Sequence, residues 1–340
     1  MRAAVRDRYG SPDVVLIEEV ERPLPRDGEV LVRVIAASVN RADLDGLLPR
    51  PGFTRLFLGI RKPRVRRVGI DVAGVVEAVG TGVTRLQLDD EVFADLFTHG
   101  QGAFAEYVAA PEKAFEKMSA GMTFEDATTL PHSAILALQG LRLRSGTTVR
   151  PGDKVLIEGA SGNVGPFAVQ IAKSMGATVT GVCSTSKMDF VRSLGADHVI
   201  DYTKVDYTTT GESYDWILSA EPHQWLLRYR RALRPKGVYV TLGAATTRSF
   251  FSLLLGTLVS RATGHSMGLM LWWKPMHPPD VATLKELMAA SKLKPVIDRR
   301  YPLSEVVKAL RYVDDGRAMG KVVINVGGNP PSDEAADRLR

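Results

Sequence analysis

The stretch whose residue types and spacing most directly imply chemistry is Gly159-Ala160-Ser161-Gly162-Asn163-Val164-Gly165. Glycines at such a turn let the backbone approach a ligand closely, and the start of a following helix offers unpaired N–H groups and a positive dipole end to an anion. A glycine cluster alone is a weak signal; its surroundings make it a strong one. The apolar run Lys154–Glu158 precedes it, the amphipathic run Val164–Met175 follows it, and a second apolar run, Thr178–Cys183, comes next. Strand, tight turn, helix and strand in that order are the setting in which such a turn holds the diphosphate of a dinucleotide.

The end of the second strand separates the two common dinucleotides. Folds selective for NAD carry an acid there, about 20 residues beyond the glycines, bonded to the ribose hydroxyls. Here the strand runs out as Val182-Cys183-Ser184-Thr185-Ser186-Lys187. A 2′-phosphate is repelled by a carboxylate and accepted by hydroxyls and a lysine, so NADP is expected, read by Ser184, Ser186 and Lys187. Tyr202, after the third strand, is placed to close over that phosphate or the adenine.

The elements that must position these residues are readable from the rhythm of the chain. From about Asp153, apolar strands and amphipathic helices alternate: strand His198–Ile200, strand Tyr214–Leu218, helix Trp225–Leu233, strand Val238–Gly243. That alternation predicts an α/β fold with a doubly wound, Rossmann-type parallel sheet. The first third is instead β-rich, with Val30–Ala36, Val72–Val79, Asp89–Ala94 and Ala103–Val108 as short strands between Gly and Pro, the pattern of a barrel-like or sandwich domain. Val281–Ala290 and Glu305–Val313 read as helices and Lys321–Val326 as a last strand; residues 328–340 are expected to form a flexible tail.

Composition is that of an ordinary soluble domain pair, with 45% hydrophobic and 24% charged residues in 340. One cysteine, Cys183, excludes an internal disulfide and a Cys-rich zinc lobe, and with the absence of a signal-like start it leads us to expect a cytoplasmic protein. The most apolar stretch, Phe250–Val259, is too short to span a bilayer, which takes about 20 residues. The net charge is +6. Arg61, Lys62, Arg64, Arg66 and Arg67 concentrate part of it, and without a nucleic-acid-reading motif they are expected to be a solvated basic loop.

Several motifs in order identify a resemblance over residues 1–327: Ser38-Val39-Asn40-Arg41-Ala42-Asp43, Gly69–Gly80, the glycine turn, Leu194–Tyr202 and Gly316–Val323. The chain resembles the zinc-independent medium-chain dehydrogenase/reductases, the quinone-oxidoreductase and zeta-crystallin-like branch. The resemblance implies a GroES-like catalytic domain over residues 1–122, closed by 295–327, beside a Rossmann domain over 123–294, with the cofactor in the cleft between them. It also implies cofactor contacts from Thr129, Leu242, Gly243, Arg317, Ala318 and Lys321 in addition to the turn, and places Asn40, Asp43, Thr129, Pro131 and Ser133 near the nicotinamide. Zinc-dependent members of the superfamily place a cysteine where Asn40 stands, a His-Glu pair where Ile70-Asp71 stands and a third ligand near His132. Asn40 and Ile70 supply neither thiolate nor imidazole, and His132 alone cannot hold a catalytic zinc, which takes three protein ligands. No metal is therefore expected.

Without a Lewis acid, alcohol oxidation is the weaker reading, and hydride delivery from NADPH to a quinone or an α,β-unsaturated carbonyl is the leading one. Asn40 and Asp43 are the candidate catalytic residues. Asp43 is expected to be a structural partner first, because a carboxyl donates a proton at neutral pH only if its pKa is strongly raised. Asp45 stands where many quinone reductases of this kind carry a tyrosine. A zinc-free NADP-dependent alcohol or carbonyl oxidoreductase stays open, as does a nucleotide-bound regulatory or RNA-binding protein with little turnover. The expected partner is a small-molecule quinone or enone, with no specific nucleic acid and no transmembrane segment; Met267–Trp273 reads as a homodimer contact or buried core.

Overall fold

The structure is a computed structural model that describes residues 1–49, 52, 55–242, 255–256, 259–260 and 264–327. Gly243, residues 248 and 250–254 and the expected tail 328–340 lie outside the described residues. In chain order the strands are β1 (Arg2–Val5), β2 (Leu16–Glu19), β3 (Glu29–Val39), β4 (Asp71–Val79), β5 (Glu91–Asp95), β6 (Tyr107–Pro111), β7 (Phe115–Lys117), β8 (Lys154–Glu158), β9 (Thr178–Cys183), β10 (His198–Asp201), β11 (Tyr214–Ser219), β12 (Leu233–Thr241), β13 (Ser266–Leu269), β14 (Ile297–Pro302) and β15 (Lys321–Asn325). The chain divides into two compact units, one of residues 1–132, 275–285 and 297 onward, the other of 133–274 and 286–296.

The first unit is built on β3, an eleven-residue strand whose buried valines, Val30, Val32, Val34 and Val39, line the core. It pairs antiparallel with β4 along its length, with β6 at its start and with β15 at its end. The seven-stranded sheet runs β14-β15-β3-β4-β5-β7, with β6 branching from β3. Gly74 is what lets β4 lie this close, since a Cβ there would overlap the Arg33 carbonyl oxygen. The first compact unit runs on through residue 122 to His132. The helix Phe124–Thr129 is tied to this unit by three side-chain bonds: the Ser38 hydroxyl donates to the Thr128 carbonyl at 2.8 Å, and Arg300 (2.8 Å) and Asn325 (3.2 Å) donate to Glu125. Of the expected strand Ala103–Val108, only the last two residues enter β6; Ala105 makes a single bridge to Ala3.

The second unit holds a six-stranded parallel sheet in the order β10-β9-β8-β11-β12-β13. Counted within the unit this is 3-2-1-4-5-6, the doubly wound Rossmann order. Val155, Leu156 and Ile157 of β8 are fully buried, as a central strand covered on both faces requires. The helix expected at Trp225–Leu233 ends at Arg231, and β12 begins already at Leu233, shifting register between Tyr214 and Trp216 of its partner. Pro235-Lys236-Gly237, read from sequence as a terminating turn, is accommodated there, with Lys236 at positive φ. In the run Met267–Trp273, the first residues form the edge strand β13 and Met267, Leu269 and Met270 are buried, while Leu271 is exposed.

Candidate functional site

Two clusters carry the chemistry, one in each unit. In the second, β8 ends at Glu158 and the turn Gly159–Val164 leads into the helix Gly165–Ser174. Gly159 has φ +77°, a conformation glycine adopts without strain. A Cβ at Gly165 would overlap the Gly159 carbonyl oxygen and the Ala160 backbone, so this glycine closes the turn on itself. Gly162 is different: a Cβ there meets only the Gly159 oxygen, at 3.6 Å, and otherwise open space. The N-cap is Val164, which has no side-chain acceptor, so the first-turn N–H groups have no side-chain cap. Open space above Gly162 and an uncapped helix start fit the diphosphate of a dinucleotide. Ala160 and Ser161 are buried within the turn; Asn163 and Val164 are half-buried.

At the end of β9, Ser184 and Lys187 flank a short 3-10 turn, both half-buried. The Tyr202 N–H donates to the Cys183 carbonyl at 3.2 Å, which sets Tyr202 beside them. Its ring stacks on His223 at 4.6 Å between centroids, and its side chain is exposed. The acid missing from β9 has a neighbour: Asp201, at the end of β10, pairs in register with Cys183. Hydrogen bonds from Thr185 and Thr203 hold its carboxyl down at about 2. Cys183 is inert by environment, its thiol pushed up to about 11 by burial. Leu242 is buried at the end of β12, its N–H donating to Ser219.

Beneath the turn lies a hub that the sequence reading missed. The Glu158 carboxylate is fully buried and receives the hydroxyls of Tyr207, Ser219 and Tyr229 (2.7 Å) and the N–H of His223 (3.1 Å). Burial pushes this carboxyl up, against those donors. The signal was a glutamate closing an otherwise apolar strand.

The cluster of the first unit is a chain of buried polar groups. Asp71, on β4, receives the Asn40 amide at 2.9 Å, the His132 N–H at 3.1 Å and the Lys321 ammonium at 3.3 Å, and the Ser38 hydroxyl oxygen, whose proton goes to the Thr128 carbonyl, lies 3.2 Å away. Lys321, at the head of β15, also donates to the Asn40 side-chain oxygen at 2.6 Å and is fully buried. Burial pushes Asp71 up and Lys321 down, and each charge opposes the shift of the other. The His132 Nδ1–H donates to Asp95 at 2.9 Å. Burial alone would lower this imidazole, but the carboxylates of Asp95 and Asp71 outweigh it and the net direction is up. Asp43 caps the helix Arg41–Leu47: one carboxyl oxygen receives the Asn40 N–H at 2.8 Å, and the other has no hydrogen-bond partner among the described residues. Burial raises this carboxyl to about 7. The raised pKa that proton donation requires is thus present, alongside the structural role.

Several expected cofactor residues also bond within the first unit. Lys321 begins a strand whose side chains face the core, and it is turned inward onto Asn40 and Asp71. Thr129 is buried with its hydroxyl donating to the Asp126 carbonyl at 2.7 Å. Ala318 packs in the core of the first unit. Arg317 is exposed and engages Asp315 at 2.6 Å. Asn40 spends both ends of its amide within the cluster. Among the described residues no group of three or more His, Cys, Asp and Glu side chains has the arrangement of a metal site.

Comparison with known proteins completes the description. Residues 26–120 match the alcohol dehydrogenase GroES-like domain, and residues 194–324 match a domain described as zinc-binding dehydrogenase. The mouse (Mus musculus) mitochondrial NAD(P)H oxidoreductase RTN4IP1 is 32% identical over 96% of this chain and 89% of its own length. The chloroplastic NADPH-dependent alkenal/one oxidoreductase of Arabidopsis thaliana is 32% identical over 95% and 79%. Among solved structures, the quinone oxidoreductase from Coxiella burnetii superposes with a TM-score of 0.85 at 26% identity, covering 96% of this chain and 99% of that one.

Proposed function

This chain belongs to the medium-chain dehydrogenase/reductase family, and from that premise we propose that it is an NADPH-dependent oxidoreductase that reduces a quinone or an α,β-unsaturated carbonyl without a metal. The observation that carries the reading is the turn Gly159–Gly165, open above Gly162 and followed by a strand end that offers Ser184 and Lys187 in place of an acid. Relatives named as an NADPH-dependent alkenal/one oxidoreductase and a quinone oxidoreductase support the acceptor class. The metal-free part rests on Asn40 and Ile70, which offer neither thiolate nor imidazole, and on the engagement of Asn40 by Asp71 and Lys321.

The bound dinucleotide supplies the hydride. The chain's own residues bind and orient. Backbone N–H groups of the turn and helix start receive the diphosphate, while Ser184 and Lys187 receive the 2′-phosphate. Asp43 holds a proton on a buried carboxyl around neutral pH. The Lys321–Asp71–Asn40 chain keeps the strand ends of the first unit in register beneath it.

The test is NADPH and NADH oxidation across quinones, enones, aldehydes and alcohols. Turnover with quinones or enones, faster with NADPH, is expected. Turnover confined to alcohols with NADP⁺ would move the protein to the carbonyl/alcohol class, and no turnover with salt-sensitive RNA binding would move it out of catalysis. Lys187→Ala should weaken NADPH binding about tenfold or more, the worth of one charge-assisted hydrogen bond, and leave NADH unchanged.

A further inference from the structure

We propose that the closed loop Leu58–Arg64, with the short helix Arg55–Leu58 before it, is a docking element for an anionic lipid surface. The inference stands apart from the acceptor class and from the dinucleotide site.

The loop is a built structure rather than a loose connection. The Gly59 N–H donates to the Arg55 carbonyl at 2.8 Å, the Arg64 N–H donates to the Leu58 carbonyl at 2.9 Å, and the Tyr9 hydroxyl donates to the Gly59 carbonyl at 2.8 Å. Gly59 sits at φ +120°, and a Cβ there would overlap the Lys62 carbonyl oxygen. Pro63 is buried under the loop, and the Arg55 guanidinium lies 5.0 Å from the centre of the Tyr9 ring. The backbone that carries its outward side chains is therefore fixed.

Those side chains combine two properties that water alone does not explain. Leu56, Leu58 and Ile60 are 60%, 40% and 67% exposed, three large aliphatics within five residues. Arg61, Lys62 and Arg64 follow, all exposed, and none forms an ion pair among the described residues. The acids that stand near are already engaged: Asp7 and Glu18 both pair with Arg66. The result is an apolar tip ringed by exposed cations, of which Lys62 feels the Asp7 carboxylate without pairing with it.

That pairing matches the boundary between headgroups and acyl chains, where aliphatics enter and Lys and Arg stay with the phosphates. Each such cation adds attraction to an anionic leaflet. A nucleic acid would use the cations but leave the three aliphatics in water, and residues 58–64 include no aromatic ring for a base to stack on. No helix among the described residues is long and apolar enough to cross a membrane, so the contact proposed is peripheral.

The test is co-sedimentation of the full-length protein with phosphatidylcholine vesicles and with phosphatidylcholine–phosphatidylglycerol vesicles. Binding to the anionic vesicles, falling as salt is raised, is expected. Arg61→Glu with Lys62→Glu should reduce partitioning about tenfold or more, and Leu56→Ser with Ile60→Ser should reduce it at low salt. NADPH oxidation with a water-soluble quinone and the melting temperature should stay unchanged in both. That activity measurement reads the proposed function separately from membrane binding. The proposal is overturned by absence of binding to anionic vesicles or by variants that bind like the parent. It is also overturned by preference for an oligonucleotide over the vesicles, or by a dimer that the loop variants dissolve, which would assign the patch to a second copy of the chain.

Discussion

Lys321 and Asp71 place opposite charges side by side with neither exposed to solvent, and each makes the burial of the other tolerable. Removing one leaves the other desolvated without its partner. Lys321→Met should therefore destabilise the protein by about 3–5 kcal/mol in denaturant unfolding. Adding Asp71→Asn should recover much of that loss, because the remaining amide is neutral. Equal effects of single and double substitution would show that the pair does not couple. Asp43 makes a different kind of prediction. Its carboxyl titrates at about 7 when folded and near 4 when unfolded. Between those values the folded state keeps a proton that the unfolded chain gives up. The contribution of Asp43 to stability is thus full below about pH 4 and lost as pH rises through about 7. Asp43→Asn keeps an acceptor for the Asn40 N–H and cannot ionise. Its melting temperature should match the parent near pH 4 and exceed it at about pH 8; parallel curves across that range would refute the raised pKa.

At the scale of the element, the turn after β8 contains two glycines with separable duties. Gly165 is buried against the turn's own backbone, and its Cβ would overlap the Gly159 oxygen. The clash arises inside the turn, with the Gly159 oxygen and the Ala160 backbone. Gly165→Ala should lower stability by about 1–3 kcal/mol, the ordinary cost of overpacking. Gly162→Ala meets open space and should leave the melting temperature within about a degree or two, in line with unstrained surface changes, while weakening dinucleotide binding about tenfold or more by holding the phosphates away. A Gly162→Ala protein that melts early yet binds NADPH normally would make the turn structural and send the search for the cofactor site elsewhere. The Glu158 hub supports the same element from below, fastening β8 to β11 and to the loop that carries His223.

At the scale of the molecule, one fold supplies a β-rich unit whose polar groups are buried and mutually bonded and a parallel-sheet unit with an anion-receptive turn. Among the described residues no group of three or more His, Cys, Asp and Glu side chains is arranged as a metal site; Asn40 is bound to Asp71 and Lys321, Ile70 is apolar, and the chain's one cysteine is buried at the end of β9 in the other unit. Purified protein should hold no stoichiometric zinc by elemental analysis, and a chelator should leave its NADPH oxidation unchanged. About one tightly held zinc per chain would reverse this reading.

The sequence by itself determined the fold class and the dinucleotide turn. Both are written in local features, alternation of apolar strands with amphipathic helices and glycines at fixed offsets, and local features act on the residues beside them. Strands β8 to β12 and the turn were legible for that reason. The sixth strand, β13, was not: Ser266–Leu269 is short and apolar, and only pairing with β12 distinguishes an edge strand from buried helix or contact surface. Side-chain partnerships were hidden for a deeper reason. Lys321 lies 250 residues from Asp71, and His132 lies 37 from Asp95. A lysine heading an apolar strand shows no buried partner in the sequence until the pairing of β15 with β3 sets it on Asn40. Charge, polarity and spacing are properties of the chain, but desolvation belongs to the folded core. It is desolvation that raises Asp43 and pairs Lys321 with Asp71, and it was decided only when the strands closed around them.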